Sequence, residues 1–285
     1  MSSTPPIELR RARDFGQVIA DAFTFMKGNW RPLLGAMLRI AMLPLVVLVA
    51  LAGAIAIVGL IQGRDGAALI GGLGILTFAL LFPVMIYTAV MIEAVTHEYL
   101  RAYGRGEHHV LDTRELRRRC HGQFWSYLGI WFLATLATLI GALMCYIPGI
   151  WINTSFALAM IAHGEERLGA TGSLERSYKL VNKKWWATFG LVLVLGMIAG
   201  MLAMVVIVPF YITAMVVMVM GAVGGGSEPP ILMFVFLGIG YLLMILVSFL
   251  AIPLVRTGTG LWYFSLVEQM EGAGLRERIQ GFEQA

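Results

Sequence analysis

The sequence predicts an all-α, polytopic membrane protein: six transmembrane helices in three hairpins, each hairpin preceded by a cytoplasmic amphipathic interfacial helix. Three observations predict it: an apolar composition, long uncharged runs, and basic clusters that alternate with those runs. Apolar types make up 59% of the 285 residues and the charged types DEKR only 13%, against roughly 45–50% and 25% in soluble proteins. So few charges could not solvate a soluble globule of this size. The same figures exclude a disordered chain. The lack of a Gly-X-Y period excludes collagen, and a total of two cysteines excludes a disulfide scaffold.

The spans follow from length. A helix needs about 20 apolar residues to cross roughly 30 Å of hydrocarbon, and uncharged runs occupy 40–61, 67–92, 124–162, 186–223 and 231–255. The first run lies behind a polar N-terminal stretch and is too long for a cleaved signal peptide, so it is expected to remain as a span. The run 124–162 is too long for one crossing, and Pro148-Gly149 interrupts it. Basic side chains arbitrate, because Lys and Arg near span ends collect on the cytoplasmic side. Arg10, Arg11, Arg13, Lys27 and Arg31 precede span one. Arg101, Arg105, Arg114, Arg117, Arg118 and Arg119 follow span two, and Arg167, Arg176, Lys179, Lys183 and Lys184 follow span four. Two crossings within 124–162 keep all three clusters inside, with the Pro148 turn on the outer face. Pro209 is expected to end or kink span five, leaving 210–223 as a helical extension at the outer face before the glycine-rich turn at 224–230. Of 21 basic residues only Arg64 then lies outside, and Arg276 and Arg278 stay inside.

One integral membrane domain results: a cytoplasmic N-terminus with an amphipathic helix (1–31), spans one and two (32–98), a basic loop (99–123), spans three and four (124–163), an amphipathic helix (164–185), spans five and six (186–256) and a cytoplasmic tail (257–285). Each basic cluster carries an apolar face. Phe15, Val18, Ile19, Ala22, Phe23, Met26 and Trp30 recur at helical spacing. Leu174, Ser177, Tyr178, Val181 and Trp185 repeat the pattern, with Ser173 as the expected N-cap. Leu116, Cys120 and Phe124 form a fainter copy. Helices of this kind lay their apolar face at the acyl boundary and reach anionic headgroups with basic side chains. Lys27, Trp30, Arg117, Arg118, Arg119, Lys183, Lys184 and Trp185 are therefore the expected lipid-surface contacts. The unit of amphipathic helix, span out and span back recurs three times, a parallel internal repeat.

Three stretches in order carry a family resemblance. They are Asp14-Phe15-Gly16 through Asn29-Trp30-Arg31-Pro32-Leu33, Gly172-Ser173-Leu174-Glu175-Arg176-Ser177 through Lys183-Lys184-Trp185-Trp186, and Trp262-Tyr263-Phe264-Ser265-Leu266-Val267-Glu268-Gln269-Met270-Glu271-Gly272 followed by Leu275 and Ile279. The chain resembles the six-span membrane domain found with some bacterial glycerophosphoryl diester phosphodiesterases, and its stand-alone relatives. The resemblance implies the fold, a bacterial inner-membrane location and a non-enzymatic role. It does not extend to phosphodiester hydrolysis, because the catalytic barrel and its metal-binding carboxylates do not occur within these residues, and it supplies no catalytic residues.

Charges within spans are functional candidates. Arg39 falls about two helical turns into span one. Glu93 and His97 share a face at the cytoplasmic end of span two, and Arg256 closes span six. These four are expected at one depth as an intramembrane charge network, read first as a staple between spans and, more sharply, as a proton- or ion-coupled site. Asn153, Thr154 and Ser155 follow the Pro148 break, where freed carbonyls make a candidate solute site; the simpler reading is hydrogen bonding to a neighbouring helix. Gly196 and Gly200 offer a small-xxx-small face for close helix approach. The methionines between Met197 and Met220 read as lipid-facing or packing residues. His97-Glu98 lacks the second histidine of a zincin, His108-His109 lacks a ligand framework, and His163 with Glu165 and Glu166 caps span four. No catalytic residue, metal or cofactor is expected. Cys120 and Cys145, placed at opposite faces, are expected to be free thiols.

These features point to a non-enzymatic multi-pass protein with both termini in the cytoplasm. Its expected role is a scaffold or accessory that organises lipid or partner proteins at the cytoplasmic face. Anionic lipid headgroups, protein partners or a second copy are the expected partners, and nucleic acid is not. The alternative is a small-solute, lipid or ion transporter using the broken span four and the Arg39/Glu93 level.

Overall fold

Long apolar runs with few turn residues produce long helices. The computed structural model describes residues 8–62, 67–107, 112–223 and 231–272, and among them there is no strand. Helix α1 (Phe15–Met37) starts at a capping box: the Asp14 carboxylate accepts from the Gln17 amide at 2.8 Å, and the Gln17 side chain accepts from the Asp14 amide. It runs through Pro32 and a π-helical turn (Leu38–Met42) into α2 (Leu43–Gln62). The first amphipathic segment and span one are thus one helix rather than a flat helix joined to a span near residue 31. Gly28, Arg31 and Pro32 lie on the exposed side, so the carbonyl that Pro32 leaves without a donor is free to be solvated. The buried stripe is Val18, Ala22, Phe25, Asn29, Leu33 and Ala36. It is rotated from the expected face, and Phe15 and Trp30 are exposed.

Helix α3 (Ala67–Gly104) changes character along its length. Leu73, Ile75, Leu76, Leu80, Phe82 and Met85 are exposed, whereas nearly every side chain from Val90 to Ala102 is buried. Helix α4 (Thr113–Gly122) returns along it, and Leu116 and Cys120 are its buried positions, as their spacing predicts. The chain continues through α5 (Phe124–Met144), α6 (Tyr146–Ser155), α7 (Ala159–Glu166), α8 (Ala170–Asn182), α9 (Trp185–Val223) and α10 (Ile231–Glu271). Gly169, not Ser173, caps α8; Ser173 lies inside the helix and donates to the Gly169 carbonyl. Helices α9 and α10 run antiparallel, with Leu195 against Gly258 and Phe210 against Gly240. Helix α9 passes through Pro209 without ending, so 210–223 is continuous with it. Helix α10 likewise passes Pro253 and continues to Glu271, burying Leu261, Trp262, Tyr263, Phe264 and Leu266. Residues 257–266, expected in the tail, are buried in the core.

One end of the molecule is therefore a packed bundle made from α1, the second half of α3, α4, the start of α5, α7, α8, the start of α9 and the end of α10. The other described parts expose their apolar side chains, including Met197, Met201, Met204, Met215 and Met218. Among the described residues nothing lies within 4 Å of where a Cβ would stand on Gly196 or Gly200, so there they bring no helix into close contact. Among the described residues four helices are long and apolar enough to cross a membrane: Phe15–Ile55, Gly72–Gly104, Phe124–Met144 and Trp185–Val219.

The segment 124–166 departs from expectation. Helices α5 and α6 fold back on each other at Cys145, whose extended backbone (φ −170°, ψ 143°) makes the turn. Pro148 and Gly149 lie in the first turns of α6 instead. Gly149 is needed there, because a Cβ would fall 2.9 Å from the Ala142 main chain. The helix breaks after Ser155, not before Asn153. Near the tip, Ile147, Ile150 and Trp151 share a groove with Lys183, Lys184 and Trp185, and the Trp185 indole donates to the Trp151 carbonyl at 3.4 Å. A turn expected on the outer face thus sits beside lysines expected on the inner one. Arg64, His108, His109, the turn at 224–230, Leu275, Arg276, Arg278 and Ile279 lie outside the described residues.

Candidate functional site

The buried end is held by charge. Of the four residues expected at one depth, Glu93 and Arg256 form an ion pair between α3 and α10. His97, one turn beyond Glu93, is buried, and its Nδ1 has no hydrogen-bond partner among the described residues. Arg39 does not join. Ile40 and Ala41 fill the inward side of the π-turn, and the Tyr87 hydroxyl donates to the Ile40 carbonyl at 3.2 Å. Arg39 is left exposed on the far side, with no ion-pair partner among the described residues.

The larger networks involve residues that the sequence placed only in charge clusters or at helix ends. Arg101 on α3 holds Glu98 at 2.6 Å and Glu165 of α7 at 2.8 Å, and the Tyr127 hydroxyl of α5 donates to the same Glu98 oxygen at 3.0 Å. Arg101 and Glu98 are both more than nine-tenths buried. A buried arginine between two carboxylates satisfies the pairing that burial requires. Beside it, the His163 ring meets Tyr127 edge-on at 5.1 Å, and its Nδ1 donates to the Leu168 carbonyl at 2.6 Å. Arg176 on α8 binds Glu166 at 2.6 Å and Glu271 at 2.7 Å, while the Tyr263 hydroxyl donates to Glu166. The bond to Glu271 holds the Arg176 guanidinium protonated more firmly than usual, against the opposing effect of burial. Arg13 fastens the N-terminal segment: its Nε bonds Asp21 at 2.7 Å, and its amide and carbonyl both bond the Ser265 hydroxyl.

The expected solute trio separates. Thr154 and Ser155 turn back to their own helix, donating to Ile150 and Trp151 carbonyls at 2.9 and 2.8 Å. Asn153 alone faces open volume, lining with Arg256 two cavities of about 380 Å3 each. The break after Ser155 is closed by Ser177 of α8, which donates to the Ser155 carbonyl at 2.7 Å and accepts from the Leu158 amide at 3.2 Å. The freed backbone is therefore engaged by a side chain.

The expected lipid contacts also divide. Lys27, Arg117, Lys183 and Lys184 are exposed, and the Arg31 guanidinium lies 5.2 Å from the Trp30 ring centre. Arg118 is exposed but bonds Glu115 at 2.8 Å. Arg119 is occupied by Glu115 and Glu107, which removes it from the free lipid-facing set. Trp185 is half-buried and stacks on Phe189 at 5.2 Å. Cys120 is buried, and burial pushes its thiol well above the usual range; Cys145 is exposed. Among the described residues there is no group of three or more His, Cys, Asp or Glu arranged to hold a metal ion. One local signal for the missed networks did exist: Glu98 and Arg101 stand three apart on one helix face. Nothing in the sequence links them to Glu165 or Tyr127. No protein-family description, curated protein or solved structure matches the chain.

Proposed function

We propose that this chain is a non-enzymatic, multi-pass scaffold of the bacterial inner membrane that gathers anionic lipid or partner proteins at its cytoplasmic face. The observation that carries this reading is how the charges are divided. The carboxylates of the bundle are engaged by arginine and tyrosine partners, as in Glu98–Arg101–Glu165 and Glu166–Arg176–Glu271, while Lys27, Arg117, Lys183 and Lys184 project outward. Locked interior charge gives rigidity, and outward cations near a surface attract anionic headgroups. The resemblance to the membrane domain associated with the phosphodiesterases agrees with this role.

In this reading both termini lie in the cytoplasm, with four crossings rather than six. The crossings are α2, the first half of α3, the second half of α9 and the first half of α10. Six crossings would separate Ile147 from Lys183 by about 30 Å of hydrocarbon, yet both line one groove. The α5–α6 hairpin then lies within the cytoplasmic leaflet, with Phe132, Leu136, Leu139, Ile140, Leu143 and Met144 toward acyl chains. Cys145 at its tip reports the difference, since Cys120 is buried. A membrane-impermeant maleimide is expected to label Cys145 in inverted vesicles but not in intact cells; labelling of intact cells restores six crossings.

The scaffold role is tested in vesicles containing fluorescent phosphatidylglycerol. The protein is expected to enrich that lipid around itself, and charge reversal at Arg117, Lys183 and Lys184 is expected to abolish the enrichment; unchanged enrichment defeats the reading. Transport is the second reading, favoured by the two cavities that Asn153 and Arg256 share. It requires solute flux that is lost in Asn153→Ala.

A further inference from the structure

We infer that the groove between the α5–α6 tip and the start of α9 seats one anionic glycerophospholipid, its phosphate on Lys183 and Lys184 and an acyl chain on Ile147, Ile150 and Phe189. This rests on the scaffold reading above and assigns its lipid contact to a single built place.

Four observations converge there. The groove has a volume of about 800 Å3 and brings together the hairpin tip, the end of α8 and the first turn of α9. That falls in the range of about 300–1,000 Å3 typical of small-ligand sites. Its walls are fixed: the Trp185 indole donates to the Trp151 carbonyl and stacks on Phe189, while Trp151 meets Tyr178 edge-on at 5.7 Å. Its cations are uncompensated among the described residues. Lys184 bonds only the neutral Gln269 side chain, and neither Lys183 nor Lys184 has a carboxylate partner among the described residues, whereas Lys179 one turn earlier is paired with Glu175 at 2.5 Å. Its floor is apolar and continues onto exposed Tyr146 and Trp186. A soluble phosphate would use the lysines alone. A phospholipid uses both parts, and Trp at the level of the headgroup is where the indole ring is favoured in a bilayer.

The test uses the full-length protein in detergent, with bound lipid counted by native mass spectrometry and competed by phosphatidylglycerol, phosphatidylcholine or glycerol phosphate. Wild type is expected to retain one phosphatidylglycerol about tenfold more tightly than phosphatidylcholine, and glycerol phosphate is not expected to displace it. Lys183→Gln with Lys184→Gln is expected to remove the preference at an unchanged melting temperature, and Ile150→Ser to weaken both lipids alike. Preference retained in the double variant overturns the proposal, as does displacement by glycerol phosphate, which would make this a site for a soluble anion. Preference lost instead on neutralising Arg117 overturns the groove but leaves the scaffold reading standing. No preference in any form defeats both.

Discussion

Glu93 on α3 and Arg256 on α10, 163 residues apart in sequence, form an ion pair where the packed bundle gives way to helices with exposed apolar faces. Glu93 is nearly buried and Arg256 about one-third exposed at the side chain. Removing one partner strands the other, so Glu93→Gln and Arg256→Met are each expected to lower stability by about 1.5–3 kcal/mol, the scale of a hydrogen bond to a charged group. The double variant should lose less than the sum, because neither charge is then left alone. Denaturation in detergent of all four forms gives the coupling directly, and simple additivity would show that the pair does not act as a unit.

Gly164 lies under the Arg101 guanidinium. A Cβ there would fall 3.0 Å from Nη1 and 3.2 Å from Cδ. An arginine tip usually yields, but this one is pinned by Glu98 and Glu165. Gly164→Ala is therefore expected to destabilise by about 1–3 kcal/mol, the scale of overpacking in a core, although alanine is the better helix former. Replacing Glu165 with Gln in the same chain should recover part of the loss by freeing Arg101. A neutral or stabilising Gly164→Ala would mean that the network is looser than its geometry.

These two cases show what is legible in sequence. Glu93 and Arg256 are visible because an ionisable residue in an apolar run is conspicuous and depth can be counted along a helix. Arg101 is hidden because the basic cluster around it reads as a sidedness signal, and sidedness carries no information about partners. The amphipathic α4 and α8 are legible from the spacing of Leu116, Cys120, Leu174, Ser177 and Val181. The face of α1 is legible only in part, since Val18 and Ala22 are buried but Phe25 and Asn29 take the places expected for Met26 and Trp30. The turn of the α5–α6 hairpin lies away from its expected place for a physical reason. Apolar length shows that a segment prefers lipid but says nothing of which helix its turn packs against, and the contact of Trp151 with Trp185 is long-range and invisible to spacing.

Ser177 supplies both halves of the repair at the α6–α7 break, donating to the Ser155 carbonyl and accepting from the Leu158 amide. Leu158, Ser155 and Ser177 are all buried, so Ser177→Ala leaves two main-chain groups without this partner. A loss of about 1–3 kcal/mol per unsatisfied group is expected. Ser177→Cys should be intermediate, because its thiol is a weaker donor and acceptor. Hydrogen exchange should speed at Leu158 and its neighbours, and unchanged exchange there would show that water replaces the hydroxyl.

His121 is one source of pH dependence. It lies on α4 with Nε2 3.4 Å from the Tyr87 hydroxyl, and partial burial together with the nearby Arg117 holds its pKa below the usual 6.5. A histidine depressed in the folded state stays neutral there while the unfolded chain takes up a proton. Its contribution to stability is therefore present above the unfolded value and is lost as pH falls through the folded one. The α4–α3 contact should weaken below about pH 6.5. The melting temperature in detergent is expected to fall between about pH 7.5 and pH 5, and His121→Gln should show a smaller fall. Arg117→Gln should also reduce it, by removing one of the two causes of the depression. Equal falls in wild type and His121→Gln would assign the acid sensitivity to other groups.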